Sequence, residues 1–312
     1  PAGGETRFQP YAEGWLATRL VKGRPLSPAT MQGYGGLLRR NIYPAFADAP
    51  LRMITPEAVR EWHADLAAHA GRDQAAKSYR LLRAILNTAV EDLRIGRNPC
   101  RIRGGGIERP AERPMIDAGM VLDLADAIVP RLHALVLLAG FGGLRTGEML
   151  GLVHRDVDIV RSEVHIRTAA LEIGGIGRLV VGPKSEAGIR TVVLPRIVTE
   201  ALRDHLTQLV APGDDAVLFT AAGGGPLRRA ELSDRWRDAA DAVGAPAGLH
   251  VHDLRHHAAT LMARMPGVTT KELMARIGHS SPRAALIYQH ATEERDRAIA
   301  DYLDAQIARA VR

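Results

Sequence analysis

The sequence predicts a mainly α-helical protein in two domains, the first all-α and the second α+β with a small antiparallel β-meander. Three observations carry this reading. A chain of 312 residues is longer than the roughly 100 to 200 residues that one domain usually holds. Apolar residues recur at the 3.6-residue helical period through most of its length. Only between residues 163 and 194 does the pattern change to short β-branched runs parted by glycines.

In chain order, the first domain reads as helices over Arg7 to Lys22, Ser27 to Asn41, Thr55 to Ala70 and Asp73 to Leu93. Thr55, Pro56 and Glu57 form a helix start: an N-cap, a proline in the first turn, then an acid. Leu81, Leu82, Ile85, Leu86, Ala89 and Val90 mark one apolar face, with Arg72, Lys77, Arg80 and Arg83 mostly off it. Between Gly96 and Pro114, three prolines, four glycines and five arginines break the periodicity. This composition predicts a basic linker. The expected organisation is therefore a helical domain over 1–95, a linker over 96–114 and a second domain over 115–312.

The second domain opens with helices over Asp117 to Ile128, Arg131 to Ala139 and Thr146 to Leu152. Glu163 to Arg167, Arg178 to Val181 and Ile189 to Leu194 follow as three strands of a meander. Helices resume over Arg196 to Val210, Arg228 to Val243, Asp253 to Met265, Thr270 to Ile277, Pro282 to Tyr288 and Thr292 to Val311. Thr269 with Glu272 makes a capping box, and Ser281-Pro282 a second helix start.

Composition narrows the functional classes. A single cysteine, Cys100, rules out an intramolecular disulfide and a four-thiolate zinc site. The longest apolar run, Ala134 to Leu144, is well short of the roughly 20 residues that cross a bilayer. The net charge is +6, which leans toward an anionic partner. Residues 1–110 hold 17 Lys/Arg against 10 Asp/Glu, whereas the remainder holds 24 against 25. The excess thus sits in the first third, as in a module that grips a polyanion.

Five sites join a cation, an imidazole or a phenol to a turn or helix start. In FGGLRTGEMLGL, Gly142 and Gly143 permit a tight turn that sets Arg145 at the mouth of a helix capped by Thr146. An arginine there either forks onto a phosphate or pairs with Glu148. Lys184, in GPKSEAGIR, is a proton donor on a swinging turn or a solvated lysine. In HVHDLRHH, His252 and Arg255 share a helix face and can flank one phosphate. His252 and His256 also raise a zinc site, against which stand a missing glutamate and the fixed charge of Arg255. His279, after the helix end at Gly278, either caps carbonyls or meets substrate. Tyr288 is either a core residue or a covalent nucleophile.

One chemistry unites the five. A phenol with a reference pKa near 10 is about one part in a thousand ionised at neutral pH, a cost of roughly 4 kcal/mol that nearby cations must offset. Attack on a phosphodiester also builds charge on the nonbridging oxygens, and each preorganised donor there is worth about 3 to 4 kcal/mol. Arg145, Arg255 and His279 supply such a field without a metal, and no acidic cluster of the two-metal nuclease type is present.

The order Arg145, Lys184, His252-x-x-Arg255, His279, Tyr288 resembles the active-site signature of the tyrosine recombinases, the phage-integrase family. GLRTGEMLGL, HDLRHHAATLM and IGHSSPRAALIYQHAT are similar to that family's three strongest blocks. The resemblance covers residues 112–312 well and the first domain more weakly. It implies that Tyr288 attacks the scissile phosphate to leave a 3′-phosphotyrosyl link and a 5′-hydroxyl. It further implies that Arg145, Arg255 and His279 stabilise the pentacoordinate phosphate, that His252 shares in proton transfer, and that Lys184 protonates the leaving oxygen. Glu148 would hold the site's geometry. No metal, nucleotide or other cofactor is implied.

The same resemblance makes residues 10–95 a core-type DNA-binding domain which, with the catalytic domain, closes a clamp on duplex DNA. Arg72, Lys77, Arg80, Arg83, Arg97, Arg101 and Arg103 are then the expected backbone contacts. The expected partners are recombination-site DNA, accessory DNA-bending proteins and three further copies in a tetramer, docked through the helix 292–312, which otherwise packs on its own domain. The expected location is the bacterial cytoplasm, at the nucleoid. Many phage integrases carry a small arm-binding domain upstream, and no room for one exists before Arg7. A simple recombinase and an integrase fragment both fit, and an opening Pro1 favours the fragment. Two alternatives stand beside the recombinase: a DNA-binding regulator with this fold but no activity, and an enzyme of type IB topoisomerase kind.

Overall fold

The computed structural model describes residues 6–21, 23–108, 113–182 and 188–278. The chain divides into two compact units, Pro1–Glu112 with Ile173–Gly175, and Arg113–Glu172 with Ile176–Arg312.

In the first unit, α1 (Phe8–Thr18) ends four residues before the expected Lys22, because Leu20–Val21 (β1) turns back on Arg24–Pro25 (β2). Gly23, at φ +73°, makes that turn possible. Helix α2 (Pro28–Leu37) widens into a π-turn over Leu38–Ile42 and continues as α3 (Tyr43–Phe46). Pro44 has no N–H to donate, and the wide turn just before it takes up the mismatch. Thr55 caps α4 (Pro56–Ala70), its hydroxyl accepting from the Ala58 amide at 3.1 Å. Helix α5 (Arg72–Glu91) turns Tyr79, Leu82, Ile85 and Leu86 into a core shared with Phe8, Trp15, Phe46 and Trp62. The two indoles keep their N–H groups paired, Trp15 to Thr88 at 2.9 Å and Trp62 to the Asn41 carbonyl at 2.7 Å.

Residues 97–108, whose composition marks a linker, lie along α5. Ile95 and Cys100 belong to the core of this unit. The Ile102 amide donates to the Tyr79 hydroxyl at 2.8 Å, and Asn98 bonds Asn87 and the Arg83 carbonyl. Burial pushes the Cys100 thiol up to about 12, so it is inert.

The second unit begins with α6 (Ala118–Ala127), capped by Asp117, and α7 (Pro130–Leu137). A π-turn (Leu138–Gly142) leads to α8 (Thr146–Gly151). Five strands follow: β3 (Val157–Asp158), β4 (Glu163–Ile166), β5 (Ala169–Ile173), β6 (Gly177–Val181) and β7 (Arg190–Val193). Among the described residues four helices come after the strands: α9 (Arg196–Leu209), α10 (Arg229–Ala242), α11 (Val251–Ala263) and α12 (Thr270–Ile277). Leu132, Leu135, Leu138, Val164, Ile166, Val192, Leu202 and Phe219 are among the buried core, and each such side chain contributes about 1.5 to 3 kcal/mol.

The strand arrangement corrects the expected single meander. Strand β4 pairs antiparallel with β7 directly, Val164 opposite Val192, and with the short β3 on its other edge. Strand β6 belongs instead to a separate two-stranded sheet with β5. Ala169–Ile173 escaped the sequence reading because two alanines and a glutamate give it little β-branched character. Gly147 and Gly151, one turn apart on α8, hold it in place: a Cβ on either would come within 3.1 Å and 3.0 Å of the Ala170 backbone. The expected helices over 282–288 and 292–311 lie outside the described residues.

Candidate active site

The π-turn and the glycine after it set the first cation. Gly143 adopts φ +72°, and its amide donates back to the Ala139 carbonyl at 3.2 Å, reversing the chain before α8. Helix α8 then starts at Thr146 with Arg145 in the N-cap position, so Thr146 is the first helical residue and not the cap. The cap is Glu148, whose Oε2 accepts from the Arg145 amide at 2.8 Å. Arg145 thereby leaves the helix with its side chain half-exposed and its own Nη1 2.7 Å from Glu148 Oε1. Of the two sequence alternatives the pairing with Glu148 is present, and the same arginine also lines a cavity.

Glu148 is 5% exposed and meets three guanidinium groups. Arg190, from β7, bonds Oε1 at 3.0 Å and Oε2 at 2.8 Å. Arg255 Nη1 stands 4.0 Å from Oε2. Burial alone would raise this carboxyl, but the Arg190 fork, with Arg145 beside it, holds it down to about 2. At neutral pH it is an anion inside a cationic ring.

The second anchor is the carboxyl end of α12. Three successive carbonyls there accept from three different arginines. Arg190 Nε donates to Arg276 at 2.9 Å, Arg255 Nη2 to Ile277, and Arg145 Nη2 to Gly278 at 2.7 Å. The helix dipole favours cations at that end, and Gly278, at φ +66°, closes it. Arg255 is 3% exposed and also donates to the Gly143 carbonyl at 2.6 Å.

His252 precedes Arg255 on α11, its ring 5.0 Å from that of His256 and nearly perpendicular to it. The side chain opens to solvent on one side. Desolvation of the ring, with positive charge from His256 and Arg255, pushes His252 down to about 4. Its imidazole is therefore neutral at pH 7 and able to accept a proton. Asp253 faces away: buried, it accepts from the His250 amide at 2.8 Å and lies 3.4 Å from Arg113.

A cavity of about 610 Å³ is lined among others by Arg145, Glu148, Arg229 and His252, while Arg255 stays buried behind it and is not in the lining. Gly182, Gly188 and Gly278 also line it. These are the described residues on either side of Lys184 and just before His279. Lys184, His279 and Tyr288 themselves lie outside the described residues. Chemically, the cavity offers a guanidinium fork, a second cation and a neutral imidazole, a set suited to a phosphate group whose charge grows during reaction.

Two cations of this site were not singled out from sequence. Arg190 has the same parity as the buried Val192 along β7, and a charge on the buried side of a strand demands a partner; that is the signal that finds it. Arg229, at the start of α10, carries no such mark. The seven expected backbone-contact residues, Arg72, Lys77, Arg80, Arg83, Arg97, Arg101 and Arg103, are all exposed on the first unit. Lys77 and Arg80 are also paired with Glu108.

The phage integrase family model matches residues 118–295. The putative prophage phiRv2 integrase of Mycobacterium tuberculosis is 41% identical over 305 residues, covering 95% of this chain and 77% of that protein. The integrase of Mycobacterium phage L5 is 33% identical over 305 residues, covering 94% of this chain and 78% of that protein. Among solved structures, the Tn1549 transposon integrase in complex with a circular intermediate DNA has a TM-score of 0.80 at 21% identity, covering 94% and 98% of the two chains. A lambda integrase tetramer bound to a Holliday junction has a TM-score of 0.67 at 17% identity, covering 90% and 80%. The last two share the fold; the matches in sequence go further, and from them the chain belongs to the phage integrase family of site-specific tyrosine recombinases.

Proposed function

We propose that this recombinase cuts and rejoins duplex DNA through a 3′-phosphotyrosyl intermediate, with Tyr288 as nucleophile and strand exchange through a Holliday junction. The observation that carries the reading is the cavity in which Arg145, His252 and the Glu148 ring meet. The Tyr288 oxygen bonds to phosphorus as the P–O5′ bond breaks. The phenol proton passes toward His252, whose neutral ring is open to it, and an anionic phosphate beside that ring raises its proton affinity. Arg145, Arg255 and His279 take up the charge of the pentacoordinate phosphate, and Lys184 protonates the leaving 5′-oxygen. Joining is the reverse, so the bond energy stays in the phosphotyrosine and neither ATP nor a metal enters.

In the same reading residues 1–95 form a core-type DNA-binding domain, 96–114 a connecting segment whose first part packs on that domain, and 115–312 the catalytic domain. The exposed cations of the first unit supply the salt-dependent part of affinity. Copies assemble as a tetramer on DNA, with 292–312 as the docking segment and accessory bending proteins as further partners. The substrate sets the location, the host cytoplasm at the nucleoid.

The test uses nicked recombination-site DNA as a trap. The wild-type chain is expected to form a covalent adduct whose attached DNA end maps to Tyr288, and Tyr288→Phe to form none while still binding DNA. An adduct on the variant overturns the assignment. Relaxation of arbitrary supercoiled plasmids without joining of paired sites indicates the topoisomerase alternative, and binding with neither activity the regulator.

A further inference from the structure

Four acceptor positions exist on a carboxylate, roughly two per oxygen. On Glu148 all four are taken: two by the amide and Nη1 of Arg145, and two by the fork of Arg190. Arg255, whose guanidinium faces the same carboxylate, stays 4.0 Å away and directs bonds to the Gly143 and Ile277 carbonyls. Arg190 is itself fixed from behind, its Nε on the Arg276 carbonyl at 2.9 Å. Its side chain is 6% exposed, and it is not among the residues that line the cavity.

We propose that Arg190 is a positioning residue for strand cleavage: by filling half of the Glu148 carboxylate and pinning it to the end of α12, it keeps Arg145 directed into the cavity and Arg255 on the Gly143 and Ile277 carbonyls behind it. Without Arg190, two acceptor positions on a buried anion fall vacant. Arg255 closes the 4.0 Å gap to fill them, and Arg145 is drawn inward from the cavity. The cost then appears in the chemical step, since both cations remain folded but have left these positions. Lysine does not replace the fork, because a point charge cannot serve two carboxylate oxygens and a carbonyl in one plane.

This inference rests on the phosphotyrosyl reading, and the experiment separates the two. Arg190→Met, Arg190→Lys, Glu148→Gln and the double variant Arg190→Met/Glu148→Gln are compared with wild type in single-turnover capture on nicked recombination-site DNA. DNA affinity and the denaturant midpoint of each are measured alongside. Arg190→Met is expected to slow capture by about 10- to 100-fold with DNA affinity within about twofold, and Arg190→Lys to remain slow. The double variant is expected to capture faster than Arg190→Met, because the surplus anion is gone. Its unfolding midpoint is expected to be no lower than that of Arg190→Met. Wild-type capture rates in Arg190→Met overturn the proposal, as does a double variant whose losses are the product of the two single losses. A wild-type chain that captures no DNA overturns the phosphotyrosyl reading. In that case the DNA-free midpoints decide the Arg190–Glu148 contact, and independent losses overturn it.

Discussion

The Arg145 guanidinium donates to the Gly278 carbonyl at 2.7 Å across 133 residues of sequence. The cation that opens α8 is thus held by the residue that closes α12. Replacing it by lysine keeps the charge but loses the second donor, so Arg145→Lys is expected to slow covalent capture on nicked DNA by about 100- to 1,000-fold. Salt-matched binding is expected to change little. A variant that captures at the wild-type rate contradicts the role given to the fork.

Glu148 carries an acid-stability signature. Its folded pKa, held to about 2 by Arg190 and Arg145 against burial, lies below the ordinary value of about 4.5. The contribution is therefore fully present above pH 4.5 and lost as pH falls toward 2. A difference of this size corresponds to at most about 3 kcal/mol. Denaturant titrations at stepped pH are expected to show wild type losing stability across that window and Glu148→Gln lacking this part of the slope.

His252 leads to an expectation in the opposite region of the titration. With its ring at about 4, no loss of kcat/KM from protonating His252 is expected near pH 6.5, because that quantity reports the free enzyme. Capture on nicked DNA between pH 5 and 8 checks this. A limb near 6.5 that disappears in His252→Asn contradicts it.

Two glycines predict opposite signs. A Cβ at Gly140 meets Val121 Cγ1 at 2.4 Å, and Gly140→Ala is expected to destabilise by about 1 to 3 kcal/mol. Gly14, exposed on α1, has nothing within 4 Å, and Gly14→Ala is expected to stabilise by about 0.5 to 1 kcal/mol. Urea denaturation of both variants is the check.

The exposed arginines of the first unit give a salt-dependence test. If Arg101 and Arg103 each neutralise one phosphate, replacing both by alanine lowers the slope of log K against log salt by about 1.8. An unchanged slope removes them from the interface.

Much of this was legible because the helical period of the sequence is interrupted in only one stretch, 163–194. The family, the mostly helical fold and its small antiparallel sheets were readable from blocks such as GLRTGEMLGL and HDLRHHAATLM, and the cap at Thr55 follows from its own side chain. The pairing of β4 with β7 was not, since partner choice between short strands is decided by packing over Val164 and Val192 and not by their order. Arg190 was missed for a related reason. Its parity with Val192 marks it as a buried charge in need of a partner, but the partner is Glu148, 42 residues earlier, which no spacing within β7 names. The tight Gly-Gly turn was read correctly as a turn, while the π-turn before it needed coordinates, as local propensity does not distinguish it from α-helix.

Three neighbouring carbonyls at the end of α12, each occupied by a different guanidinium, leave this cluster of arginines without independent parts. In directed evolution of the enzyme, single exchanges at positions 145, 190 or 255 are therefore expected to disturb the other two. The shared fastening is main chain, so substitutions in the last turn of α12 leave the three acceptors themselves in place.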